Sequence, residues 1–210
     1  MELAGVITGA IALIVSVIVA WKNHLSPFHV ELFCGNPRLE PLPVKLKDGS
    51  TVIRFSAILP LYFTNTGAQE GSIRHIVLVV TSDQNKWLFY PFFYAKYGLR
   101  TEPALGITLT EDPSNEPFYP VHLAGKSKVY KSIVFSPLEH EQFHLGTNPL
   151  LAGKYTFTVK TLEAGKNNNY ETRLVFNVTL NTEQINHLST GNYLIPFLDE
   201  VKDKLEKLHS

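Results

Sequence analysis

A single cysteine, Cys34, in 210 residues leaves no intramolecular disulfide framework and no multi-cysteine metal cluster. Charge is scarce as well. Asp, Glu, Lys and Arg make up 18% of the chain, against roughly 25% in an ordinary soluble protein. Basic and acidic residues number 19 each, so no net field exists to hold nucleic acid. No GxSxG elbow, Walker loop or GxGxxG stretch occurs, which removes the common nucleophile-elbow and phosphate-cradling chemistries. Glycine and proline, 13 of each, follow no period, and 44% of residues are hydrophobic, so neither collagen nor a disordered chain is in question. The length suits one domain with appendages.

What is present begins with an apolar run. Leu3 to Trp21 reads LAGVITGAIALIVSVIVAW, 19 residues without an ionisable side chain. As a helix it would span about 28 Å, close to the hydrocarbon thickness of a bilayer. A cleaved signal peptide competes with this reading, and Ile18-Val19-Ala20 would be its poor cleavage site. No basic n-region precedes the run, only Glu2, so the expectation is a retained single-pass anchor over residues 1–22, in contact with the membrane through 3–21. Lys22, His24 and Arg38 follow the span, which by the positive-inside rule directs the bulk of the chain to the cytoplasmic side. Gly5 and Gly9 form a GxxxG pair, a groove through which two such helices associate.

From Phe28 onward, period-two patterns dominate. Strands are expected over Phe28 to Cys34, Thr51 to Thr64, Ile73 to Thr81, Lys86 to Tyr94, Val129 to Phe135, Gly153 to Leu162 and Tyr170 to Leu180. Pro60 removes a ladder donor from the second of these and implies a bulge or an edge. Lys96 to Pro117 has no clean period and reads as an irregular excursion with room for a short strand at Ile107 to Thr110. The tail changes period: Leu194, Leu198, Val201, Leu205 and Leu208 recur at spacings of four and three, an amphipathic helical stripe over 194–208. The expected organisation is therefore an anchor (1–22), a β-domain (23–182) and a helical tail (183–210).

Two stretches carry a resemblance. LPLYFTNTGAQEGSI at Leu59 to Ile73 is similar to the strand–turn–strand of bacterial immunoglobulin-like modules, with its Asn-x-Gly turn. LAGKSKVYKSIVF at Leu123 to Phe135 and LLAGKYTFTVKT at Leu150 to Thr161 resemble their E and F strands, with Tyr155 where such folds set a tyrosine corner. The resemblance implies an all-β class: an immunoglobulin-like antiparallel β-sandwich with an N-terminal transmembrane helix and a short C-terminal amphipathic helix. It implies no activity.

Two segments are candidates for function. His140-Glu141-Gln142-Phe143-His144 matches HExxH, in which two histidines one helical turn apart hold zinc and the glutamate acts as general base. Pro137 and Gly146 leave that helix about two turns, marginal for nucleation. Glu163 is a third-ligand candidate in sequence spacing alone, placed at the end of a strand rather than on a helix. The leading expectation is thus a polar connection with no metal at His140, Glu141 and His144, and no cofactor. The second segment runs from Trp87 to Tyr94. Alternation sends Trp87 and Phe89 to one face and Tyr90, Phe92 and Tyr94 to the other, and a sandwich strand has one core face. One set is either covered by the 96–117 excursion or forms an exposed binding stripe.

These observations favour a membrane-anchored module that binds, scaffolds or assembles, without catalysis and without nucleic acid. Its partners would be a protein or a second copy, met through Gly5, Gly9 and the 194–208 helix. A small zinc-dependent hydrolase and a structural subunit of a membrane complex are the alternatives.

Overall fold

The computed structural model describes residues 2–45, 51–83, 86–94, 97–102, 106–111, 116–137, 151–166, 169–196, 198 and 199. The apolar run forms helix α1 (Glu2–Ala20), continued by a π-helical turn over Trp21–Leu25. Ser26 then turns extended, as a residue before proline must. Twelve strands follow among the described residues: β1 (Val30–Cys34), β2 (Arg38–Lys45), β3 (Thr51–Asn65), β4 (Gly71–Thr81), β5 (Lys86–Tyr94), β6 (Tyr97–Glu102), β7 (Gly106–Glu111), β8 (Glu116–Pro117), β9 (Val121–Leu123), β10 (Lys128–Pro137), β11 (Gly153–Glu163) and β12 (Glu171–Leu180). Helix α2 (Thr182–Ser189) follows β12.

Seven strands build the body in the order β1-β3-β10-β5-β4-β11-β12, each neighbouring pair antiparallel. The expected sandwich would break between β5 and β4. Instead these strands pair directly, from Leu78 opposite Phe89 to Thr81 opposite Lys86. The two expected layers are one sheet, rolled until its end strands β1 and β12 approach, a nearly closed barrel. β6 and β7 pair with each other within the excursion: β7 covers the short strand expected at 107–110, whereas β6 was not expected.

Alternation sends Leu59, Leu61 and Phe63 of β3, Leu78 and Val80 of β4, and Phe157 and Val159 of β11 into the core. Phe157 stacks on Phe176 with centroids 5.1 Å apart. The outward Ile58, Val77, Val79 and Val134 are buried too, so that part of the sheet is covered on both faces.

Prolines sit where the ladder can lose a donor. At Pro60, β1 has ended (Cys34 opposite Leu61) and β2 has not begun (Arg38 opposite Ile58). The missing N–H falls in that gap, where Gly35 N–H donates to the Pro60 carbonyl at 2.9 Å. β2 was not expected from sequence because Pro41 and Pro43 interrupt it. Leu39 exchanges backbone hydrogen bonds with Leu194 (2.7 and 2.9 Å), so odd positions of β2 turn their backbone polar groups away from β3. Pro41 and Pro43 share that parity and remove donors from the outer edge, where they also discourage edge-to-edge pairing.

The same bridge corrects the tail. Leu194, expected to open a helical stripe, is extended against Leu39. Leu198 packs on the core, Asp199 is helical, and residues 200–210, with the rest of the expected stripe, lie outside the described residues. Ahead of Leu194 stands α2, started by a capping box in which the Asn181 side chain accepts from Gln184 N–H (2.8 Å) and Gln184 accepts from Asn181 N–H (2.9 Å).

The seam between β1 and β12 is held by charge. Arg173 donates to the buried Glu163 and, at 3.4 Å, to the Val30 carbonyl of β1. Lys166 bonds the other Glu163 oxygen at 3.0 Å and Glu171 at 2.8 Å. The hydrogen bond from Lys166 holds the Glu171 carboxyl below its usual range, and its bonds to Glu171 and Glu163 raise the Lys166 ammonium. A lowered carboxylate stabilises above its unfolded range and loses that contribution as pH falls through its folded value. A raised lysine stabilises below its unfolded range and loses it as pH rises through its folded value. Lys166→Met is therefore expected to cost less than about 1 kcal/mol at neutral pH, since Lys166 and Glu171 are both largely exposed and the buried Glu163 keeps its Arg173 partner. Urea unfolding should show that cost shrinking at both acid and alkaline extremes.

Candidate functional site

The helix and the barrel meet without a spacer. Ser26 Oγ donates to the Lys22 carbonyl at 3.1 Å and accepts from Ala68 N–H at 2.8 Å. The Ser26 carbonyl accepts from Ala68 (3.0 Å) and Gln69 (3.1 Å). Lys126 Nζ donates to Asn23 Oδ1 at 2.8 Å. Two turns of the barrel, after β3 and before β10, thus grip the last turn of the helical segment.

Asn65, the last residue of β3 and 1% exposed, organises both turns. Its Oδ1 accepts from Gly67 N–H (3.0 Å) and His29 N–H (3.3 Å), and its Nδ2 donates to the carbonyls of Gln69 (2.8 Å) and Ala124 (2.9 Å). Every hydrogen-bonding position of the amide is occupied, as burial of so polar a group requires. Two glycines let the segments touch. A Cβ on Gly67 would lie 1.8 Å from the Pro27 carbonyl oxygen, and one on Gly125 1.9 Å from that of Ala68.

Beside this junction, on the outer face, lies a row of aromatic rings. Phe33 of β1 stands opposite Tyr62 of β3, which stands opposite Tyr130 of β10. They are 57%, 50% and 50% exposed, and the two tyrosine rings sit 4.9 Å apart. Burial, then the adjoining Tyr62, raises the Tyr130 phenol above its ordinary value. These residues were not singled out in the sequence. Their outward alternation in three strands is legible there; the register that lines them up is not.

The candidates from sequence fare as follows. Trp87 and Phe89 are buried in the barrel, Trp87 edge-on to Phe55 at 6.3 Å and Phe89 5.0 Å from the same ring. They pack the core and present nothing to a partner. Tyr90 is half-buried on the other face, and the side chains of Phe92 and Tyr94 lie outside the described residues. His140, Glu141 and His144 lie outside them too. Glu163, their spacing-derived companion, has both oxygens held by Arg173 and Lys166. Among the described residues, no group of three His, Cys, Asp or Glu side chains is placed to hold a metal ion. Burial pushes the Cys34 thiol up to about 12, far from a reactive thiolate. Tyr155 Oη donates to the Leu151 carbonyl at 2.6 Å and accepts from Leu151 N–H at 3.1 Å, closing the corner before β11. One N-terminal helix is long and apolar enough to cross a membrane, and Gly9 on it faces open space. Against family models, curated proteins and solved structures, the chain finds no match.

Removing the Asn65 amide leaves two part-buried carbonyls and two N–H groups without their partner. Asn65→Ala is expected to cost at least about 2 kcal/mol in chemical unfolding followed by tryptophan fluorescence. Gly67→Ala should displace the 26–28 segment and open trypsin cleavage after Lys22, which stays protected in the unaltered chain.

Proposed function

We propose that the chain is a single-pass membrane protein whose immunoglobulin-like barrel stands on the bilayer surface and works by binding, as a scaffold or assembly module without catalysis of its own. The observation that carries this reading is the junction. A helix of membrane-spanning length ends in hydrogen bonds to the barrel's own turns, so the barrel rim sits within a turn or so of the bilayer edge. The immunoglobulin-like assignment is supported by the strand order. β1, β3, β10 and β5 follow the A-B-E-D order and β4, β11 and β12 the C-F-G order of that Greek key. The Tyr155 hydroxyl returning to Leu151 has the form of its tyrosine corner. The exposed aromatic row supplies a surface of the kind partners bury. The cations after the span favour a cytoplasmic barrel.

Alkaline carbonate extraction and intact mass test the anchor together. The expected result is protein in the membrane pellet at its unprocessed 23.6 kDa. Release to the supernatant, or loss of the first twenty or so residues, would contradict it. For the hydrolase alternative, metal analysis of the purified full chain is expected to read well under one zinc per chain. One equivalent, lost in His140→Ala, would reverse the ranking.

A further inference from the structure

The face that carries the aromatic row has a second row one pleat step nearer the helix. Glu31 of β1 stands opposite Thr64 of β3, which stands opposite Lys128 of β10, and both charged residues are exposed. Read across the three strands, the surface is acidic at one side, neutral at the centre and basic at the other, under a continuous line of rings.

The geometry points to a homodimer interface: a second copy of this chain packs its own Phe33, Tyr62 and Tyr130 row against this face. The inference rests on the membrane-anchored reading, which sets the symmetry. Two copies in one bilayer share an up direction, so their two-fold axis runs along the membrane normal; the helix joins the barrel at the Val30 and Asn65 ends of β1 and β3, and that axis is taken to run along these strands. About that axis the face meets itself left for right. Tyr62 faces Tyr62, Phe33 faces Tyr130, and Glu31 faces Lys128 on both flanks, the self-complementarity an isologous contact requires. A two-fold axis across the strands would set Glu31 on the same side as Glu31, and no pair of parallel anchors permits it. Charge order and anchoring therefore select the same arrangement. Three rings a side cover less than the roughly 800 Å² per partner of a standard interface. Confinement of both copies to one membrane raises their effective concentration and offsets that deficit.

The test uses the full chain in vesicles, in a Cys34→Ala background. Facing sheets pack about 10 Å apart, too far for a direct disulfide at the axis, so a short bis-maleimide is the probe. Tyr62→Cys is expected to give covalent dimer about tenfold faster than His187→Cys, exposed on α2. In the Tyr62→Cys chain, Glu31→Lys and Lys128→Glu should each slow the reaction, and the two together should restore it. These positions are exposed, so the barrel tolerates the changes. Equal rates at the two cysteines, or a double exchange no faster than either single one, would overturn the interface. Carbonate extraction of the same samples separates the two ideas. Protein in the pellet without dimer sinks the interface alone, while protein in the supernatant sinks the anchor on which it rests.

Discussion

The side-chain amide of Asn65 is the constraint on which the helix-bearing end of the molecule depends. It ends β3, closes the following turn onto Gly67, receives the chain entering β1 at His29 and reaches across to Ala124 before β10. Four backbone segments are thus referred to one planar group. A buried amide so placed stabilises by having no unmet donor or acceptor, and any displacement of one segment exposes the other three. Gly67 and Gly125 are its counterpart in shape, since hydrogen bonds of this length need backbones closer than a Cβ allows. The helix enters the same network through Ser26, so attachment of the helix and the packing of the two turns share one set of bonds.

The two seams between the expected layers are joined by different means. Between β4 and β5 a backbone ladder makes two expected layers into one sheet. Between β1 and β12 the backbones approach without such a ladder, and Arg173, held by Glu163 of the neighbouring strand, reaches across to the Val30 carbonyl. An ion pair taken out of water gains little by itself, but removing one partner leaves a charge stranded. The seam therefore works mainly as a register device: it aligns Val30 with the β11–β12 hairpin at the end where the helix enters.

Much of the β-structure was legible because period-two alternation is strong. β3, β4, β11 and β12 run close to the limits their side chains suggest. β2 was hidden by Pro41 and Pro43, which read as breakers until the direction of each N–H is known. The 194–208 spacing suggested a helix opening at Leu194, but pairing with Leu39 outweighs the local period at that first position, and Asp199 is already helical. The Asn-x-Gly turn was visible, whereas the reach of Asn65 to Ala124, 59 residues on, is a tertiary fact. The same holds for the aromatic row. Trp87 drew attention as the most concentrated aromatic segment, yet concentration marks core at least as readily as surface. The rings left outside are single residues on three strands that only register assembles. The HExxH segment lies outside the described residues.

The central claim is that the N-terminal helix and the barrel form one rigid body. Spin labels at Leu13, exposed on α1, and Thr172, exposed on β12, in the full chain in micelles measure it directly by pulsed dipolar spectroscopy. The account predicts a single narrow distance distribution that broadens when Gly67→Val forces the Pro27 carbonyl away. A distribution already broad in the unaltered chain, and unchanged by that substitution, would contradict it.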